Sequence, residues 1–153
     1  MTSLILEELV MSNFASLYKE NKELLNEVYA SIKSNDIAML KKFFTLHPDM
    51  LHIPVYRGSL NNKGLLHLAA KEAKSVEICL YLIDCGIDVN ALDHSRHTPL
   101  ISSAREGKRD LVEALIKHGA WVDGSNIANT TPLIEAAKNG HLEVVKTLVD
   151  YGC

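Results

Sequence analysis

The chain has 153 residues, 47% of them hydrophobic and 23% charged, with a formal net charge of -3 at pH 7. That length supports one hydrophobic core and is short for two, and the acidic balance offers no reservoir of positive charge for phosphates, so nucleic acid is not expected as the main partner. No apolar run approaches the roughly 20 residues that cross a bilayer, and the opening MTSLILEELV is interrupted by Glu7 and Glu8 without a basic flank or small-residue cleavage site, which argues against membrane insertion and secretion. Cys79, Cys85 and Cys153, odd in number and unpatterned, fit free thiols in a reducing compartment. The cytoplasm is therefore the expected location, and delivery into a host cell as an effector is compatible with the same composition.

In chain order, residues 4–20 come first, and Leu6, Leu9, Val10, Phe14, Leu17 and Tyr18 form a stripe that predicts an amphipathic helix. From Leu66 onward the chain repeats itself. Gly86, Gly119 and Gly152 fall 33 residues apart, each four residues after a leucine, Leu82, Leu115 and Leu148. Thr98-Pro99-Leu100 and Thr131-Pro132-Leu133 are also 33 apart, and Leu66 stands 34 before Leu100.

Each unit reads as helix, turn, helix. Thr98 and Thr131 are predicted N-caps, with Pro99 and Pro132 in a first turn where the missing N–H costs nothing. The short first helices carry Ala69 and Ala70, then Ala104, then Ala136 and Ala137, small side chains that allow close approach. Gly107 and Gly140 supply the positive φ of a helix end. In the run Leu142 to Val149, Val144, Val145, Leu148 and Val149 recur at a spacing suited to burial. Upstream, VYASIKSNDIAMLKKFF lies on the same frame, with Val28 matching Leu133, Asn35 matching Gly140 and Phe43 matching Leu148. The stretch HPDMLHIPVYRGSLNNKG then inserts about five extra residues, predicting a longer loop or finger around His52 to Lys63.

TPLIEAAKNGHLEVVKTLVDYG, TPLISSAREGKRDLVEALIKHGA and LLHLAAKEAKSVEICLYLIDCGIDVNA resemble the ankyrin repeat, a resemblance covering residues 59–153. It implies an all-α solenoid of stacked helix-turn-helix units with short projecting hairpin turns. The implied division is a capping helix over 1–24, a degenerate repeat with a long loop over 25–58, repeats over 59–92 and 93–125, and a repeat over 126–153 that is incomplete at its C-terminal end. Each repeat buries two faces against neighbours, so an end needs a polar face or an added element. The N-terminal helix is the expected cap, whereas Val144, Val145 and Leu148 have no following unit.

Several residues depart from the family's pattern. Gly64-Leu65 replaces Thr-Pro, which predicts a weaker cap, and one extra residue lies between Ala70 and Leu82. Asn62, Arg96 and Asn129 stand at the turn position the family usually gives to glycine. Asparagine tolerates positive φ, but arginine there costs roughly 1 to 2 kcal/mol, so Arg96 marks either a reshaped turn or a contact. Trp121 replaces an aspartate and is expected to pack against the next turn, with an interface contact as the alternative.

No catalytic, metal or cofactor site is expected. His94 and His97 in HSRH lack a completing ligand set, and there is no Gly-rich phosphate loop. Ser102 and Ser103 fall on the small-residue packing face, Cys79 falls in the core of a second helix, and no nucleophile has both a base and an orienting partner. His67 matches the family's TPLH histidine, which implies a structural hydrogen bond.

The resemblance further implies a partner protein held in a concave groove made by the turn tips and first helices. The tip positions are Leu60, Asn61 and Lys63, then His94, Ser95, Arg96 and His97, then Ile127, Ala128 and Thr130; the helix positions are Lys71 and Glu72, Arg105 and Glu106, Lys138 and Asn139. Leu60 and Ile127 are the preferred anchors, since burying such a side chain contributes about 1.5 to 3 kcal/mol. The groove charges are mixed and select no partner class. Two other roles fit the same residues: a targeting or regulatory module of a longer enzyme or bacterial effector, and a small inhibitor or immunity-type protein occluding a toxin or enzyme. The oligomeric state is open.

Overall fold

The computed structural model describes residues 24, 26–48, 64–93, 95–124 and 129–153, and among these the regular structure is entirely helical. The helix expected over 1–24, apart from Leu24, and the finger expected around His52 to Lys63 lie outside the described residues. Helical residues 26–34 form α1, followed by α2 (Ile37–Leu46), α3 (Leu65–Glu72), α4 (Val76–Asp84), α5 (Pro99–Arg105), α6 (Arg109–Lys117), α7 (Pro132–Lys138) and α8 (Leu142–Asp150).

The helices stack in two layers. The first helices α3, α5 and α7 pack side by side, the second helices α4, α6 and α8 do the same, and each pair α3–α4, α5–α6 and α7–α8 closes as a hairpin. Local chemistry explains the starts. Thr98 Oγ1 accepts from Ile101 N at 3.3 Å, and Thr131 Oγ1 accepts from Ile134 N at 3.2 Å. Gly64 offers α3 no side-chain cap, as the missing threonine requires.

The turns between paired helices use left-handed backbone at Gly107 (φ 70°) and Gly140 (φ 75°), and Asn35 between α1 and α2 takes φ 61°. Between α3 and α4 the extra residue changes the solution. It lengthens α3 to 8 residues against 7 in α5 and α7, and the chain leaves through Ala73 in extended geometry, so no glycine is needed.

The core lies between the two layers and repeats with the frame. Leu66 and Leu100 are fully buried; so are Ile78, Cys79, Val112, Leu82, Leu115 and Leu148, with Leu111 and Val144 nearly so. At the small-residue position Ala69, Ser103 and Ala136 are all inaccessible, and Ser103 Oγ returns its proton to Leu100 O at 2.9 Å, which removes the cost of burying a hydroxyl. Phe44 reaches α4 through Tyr81, ring centroids 6.5 Å apart.

Polar bonds between successive units fix the register. His67 Nε2 donates to His97 O at 2.7 Å, as the resemblance implied. Asn90 accepts from Trp121 N at 2.8 Å and donates to Gly119 O at 3.0 Å. Lys108 Nζ donates to the carbonyls of Lys71 (2.7 Å) and Ala73 (2.8 Å) at the C-terminus of α3. One unit on, His141 Nε2 donates to Arg105 O at 2.9 Å, at the end of α5. Lys108 and His141 thus satisfy carbonyls that a helix end leaves without an intrahelical donor.

Candidate protein-binding surface

The turn before α5 is closed by Asp93, Arg96 and His97. Asp93 N donates to His97 O at 3.0 Å, Arg96 N to Asp93 O at 2.9 Å, and His97 N to the Asp93 carboxylate at 2.8 Å. The closure forces left-handed backbone at the fourth residue, and Arg96 takes φ 56°; Asn129, its equivalent one unit later, takes φ 54°. The turn therefore keeps the shape that glycine would give it, and the arginine side chain stands exposed at its tip beside exposed Ser95.

His97 behaves differently from the tip residue expected from its position. Its side chain is only 13% exposed, with Nδ1 3.6 Å from Asp93 Oδ2 and Nε2 3.4 Å from Arg105 Nη2. The ring is drawn inward by the carboxylate below the turn and by the first helix beside it. Arg105 continues the chain of contacts by donating Nε to Glu135 on α7. Glu135 is a buried carboxylate, and the Arg105 hydrogen bond holds its pKa below the ordinary glutamate value against the opposing effect of burial.

The remaining helix positions face solvent. Lys71 is exposed and 3.7 Å from half-buried Glu72, and Glu106, Lys138 and Asn139 are exposed, Asn139 donating to Glu135 O at 2.8 Å. Thr130 is half-buried. Leu60, Asn61, Lys63, His94, Ile127 and Ala128 lie outside the described residues. The surface thus gathers Lys71, Glu72, Ser95, Arg96, Arg105, Glu106, Lys138 and Asn139 on the first helices and the turn, while His97 supports it from beneath.

Two features escaped the sequence reading. Glu135 was not marked, although it stands 30 residues after Arg105, close enough to one repeat to suggest adjacency. Ile134 is 49% exposed on α7, whereas its equivalent Ile101 is fully buried, and nothing in the residue type distinguishes them. Trp121 was expected to pack against the next turn, yet the residue is 60% exposed. Its backbone N–H, bonded to Asn90, makes the contact between units, and any side chain could serve that bond.

Among the described residues, the nucleophiles near the surface are engaged or suppressed. Burial pushes the Cys79 thiol up to about 12, despite nearby Lys108, so it stays protonated and poorly nucleophilic. Ser103 is spent on a backbone carbonyl. Among the described residues no group of His, Cys, Asp and Glu side chains could hold a metal ion, and no helix is long and apolar enough to cross a membrane.

A family model described as "Ankyrin repeats (3 copies)" matches residues 66–153. Protein fem-1 homolog C of Homo sapiens is 42% identical over 98 residues, 56% of this chain and 14% of that protein. Protein fem-1 homolog A of Danio rerio is 39% identical over 54 residues, covering 35% of this chain and 9% of the relative. Serine/threonine-protein kinase VIK of Arabidopsis thaliana is 29% identical over 92 residues, 60% of this chain and 20% of the kinase. The chain therefore spans only a small part of the length of the curated relatives it matches.

Proposed function

The chain belongs to the ankyrin-repeat family, and from that premise we propose that it binds a partner protein through the groove formed by its turn tips and first helices, without catalysis of its own. Ankyrin repeats are protein-interaction modules, and the observation that carries the specific site is the exposed, mixed-polarity row on the first-helix layer, from Lys71 through Arg105 and Glu106 to Lys138 and Asn139. These side chains stand on helices cross-bonded between units, so docking orders little backbone and the entropy cost falls on the side chains themselves. Leu60 and Ile127 remain the proposed apolar anchors at the tips. We further assign residues 25–58 to the solenoid as a degenerate first repeat. Positive φ at Asn35 supports this, as does the bond from Ser75 N to Asn35 Oδ1 at 3.0 Å, at the level where Lys108 and His141 bridge later units. The location we infer is intracellular.

Affinity capture from the native host tests the groove. A partner retained by the wild-type chain is expected to be lost from a Leu60→Asp/Ile127→Asp variant, and if every captured protein stayed bound the groove assignment would be wrong. Similarity to short stretches of much longer proteins, one of them a kinase, favours a second reading in which these repeats serve as the recruiting module of a longer polypeptide.

A further inference from the structure

We propose that the outer face of α7 and α8 is a second docking surface, separate from the groove, and that its occupant is a helix-turn-helix repeat of a partner protein, laid on it as one unit of this chain lies on the next. The face is a repeat interface with one side supplied. Ala70 and Cys79 in α3–α4, and Ala104 and Val112 in α5–α6, are fully inaccessible at positions that recur with the frame. Each of these two units has the following hairpin packed against it, first helix on first helix and second on second. In α7–α8 the same two positions are exposed Ala137 and half-buried Val145. Ile134 and Val149 accompany them, 49% and 53% exposed, and Leu142, 62% exposed, widens the apolar patch where the interior unit has Arg109.

Continuity with the interior interfaces identifies the occupant. The apolar face is shared between two paired helices, and interior faces of the same make are covered by two helices. Polar contacts then add to its chemistry. Arg105, in the last turn of α5, donates Nε to Glu135 in the first turn of α7, and its carbonyl accepts from His141 Nε2 at 2.9 Å, His141 being the residue that opens α8. One unit earlier the Lys71 carbonyl accepts at 2.7 Å from Lys108 Nζ, again the residue that opens the second helix. On the terminal unit Lys138 holds the place of Lys71 and Arg105 in the last turn of the first helix. The fitting repeat therefore brings an apolar face, a carboxylate in the first turn of its first helix, and a lysine or histidine at the start of its second.

An intact second copy cannot present that combination. Neither α3 nor α5 has an acid in its first turn, and the side of α7–α8 that carries Glu135 and His141 is already taken by α5.

The α7–α8 repeat itself, as a labelled peptide of residues 129–153, is the probe, because the terminal face repeats its natural complement at Ile101 and Ile134, Ala104 and Ala137, and Val112 and Val145. Titrated with the full chain and followed by fluorescence anisotropy, the peptide is expected to bind saturably but weakly, since it must order as it docks. Ile134→Asp/Val149→Asp in the chain is expected to weaken binding at least about tenfold, and Glu135→Gln/His141→Ala in the peptide about threefold. Circular dichroism checks the fold of the chain variant, and Ile134→Ser/Val149→Ser replaces it should the aspartates unsettle α7 or α8. Leu60→Asp/Ile127→Asp is expected to leave peptide binding unchanged, which separates this surface from the groove. The proposal is overturned by absence of saturable binding, or by binding that the chain variant leaves unchanged, as when the peptide displaces the chain's own α7–α8 from α5–α6. Concentration-dependent dimerisation of the full chain that Ile134→Asp/Val149→Asp abolishes would make the occupant a second copy and overturn it equally. So would resistance of an Ile134→Cys variant of the native polypeptide to alkylation in the absence of any partner, which would show the face sealed from within.

Discussion

The α5–α6 unit and the α7–α8 unit carry nearly the same residues in the same frame, yet they are buried differently. Ile101, Ala104 and Val112 are fully inaccessible, while their equivalents Ile134, Ala137 and Val145 are 49% exposed, exposed and half-buried. The difference lies in the neighbour: α5 and α6 have α7 and α8 packed against them, and no described element lies beyond α8. Burial in a solenoid belongs to the interface between units and only indirectly to the residue.

The largest expected effect breaks that comparison at one position. Ile101→Ala should destabilise the chain by about 2–5 kcal/mol through lost transfer energy and a cavity, whereas Ile134→Ala should cost less than about 1 kcal/mol because its side chain is already half in water. Urea denaturation of the two variants measures the gap, and equal losses would mean that the terminal face is covered in solution.

A smaller effect is expected at Lys108, which joins the interior unit to the one before it. Lys108→Met keeps the aliphatic stem but leaves the carbonyls of Lys71 and Ala73 without their donor, at a cost of about 1–2 kcal/mol. Hydrogen exchange at the end of α3 should accelerate more than exchange in α7, and uniform acceleration would argue against a local bridge.

The smallest effect is pH-dependent and concerns the Arg105–Glu135 pair linking the interior and terminal units. The folded pKa of Glu135 is lowered, so its stabilisation is fully present above the unfolded value of about 4.3 and is lost as pH falls through the folded value. Arg105→Met should therefore flatten the acid limb of the stability profile as pH falls below the unfolded value of about 4.3. A limb of unchanged slope would assign the acid sensitivity to other carboxylates.

The solenoid was legible because its determinants are local. Thr98 and Thr131 cap their helices, Gly107 and Gly140 turn left-handed, and His67 bonds the next turn, each an outcome of side-chain chemistry within a few residues or of a recurring register. The extra residue before Leu82 was legible too, but its absorption into α3 and the extended exit at Ala73 depended on how that turn meets its neighbours. The binding surface was less legible. Ser95, Arg96, Lys71 and Lys138 are exposed as their positions suggested, while His97 is pulled inward by Asp93 and Arg105 and Trp121 stands largely in solvent.

By itself, then, the sequence determined the period, the helix starts, the left-handed turns and the residue types of the core, because backbone preference and hydrophobic spacing act over short stretches of chain. Only the tertiary structure decided which of two equivalent isoleucines is buried, that Glu135 is held by Arg105, and that Lys71 and Arg105 surrender their carbonyls to the following repeat. Those outcomes depend on atoms brought together from 30 or more residues away, where the packing of one unit on the next sets both the burial and the partner.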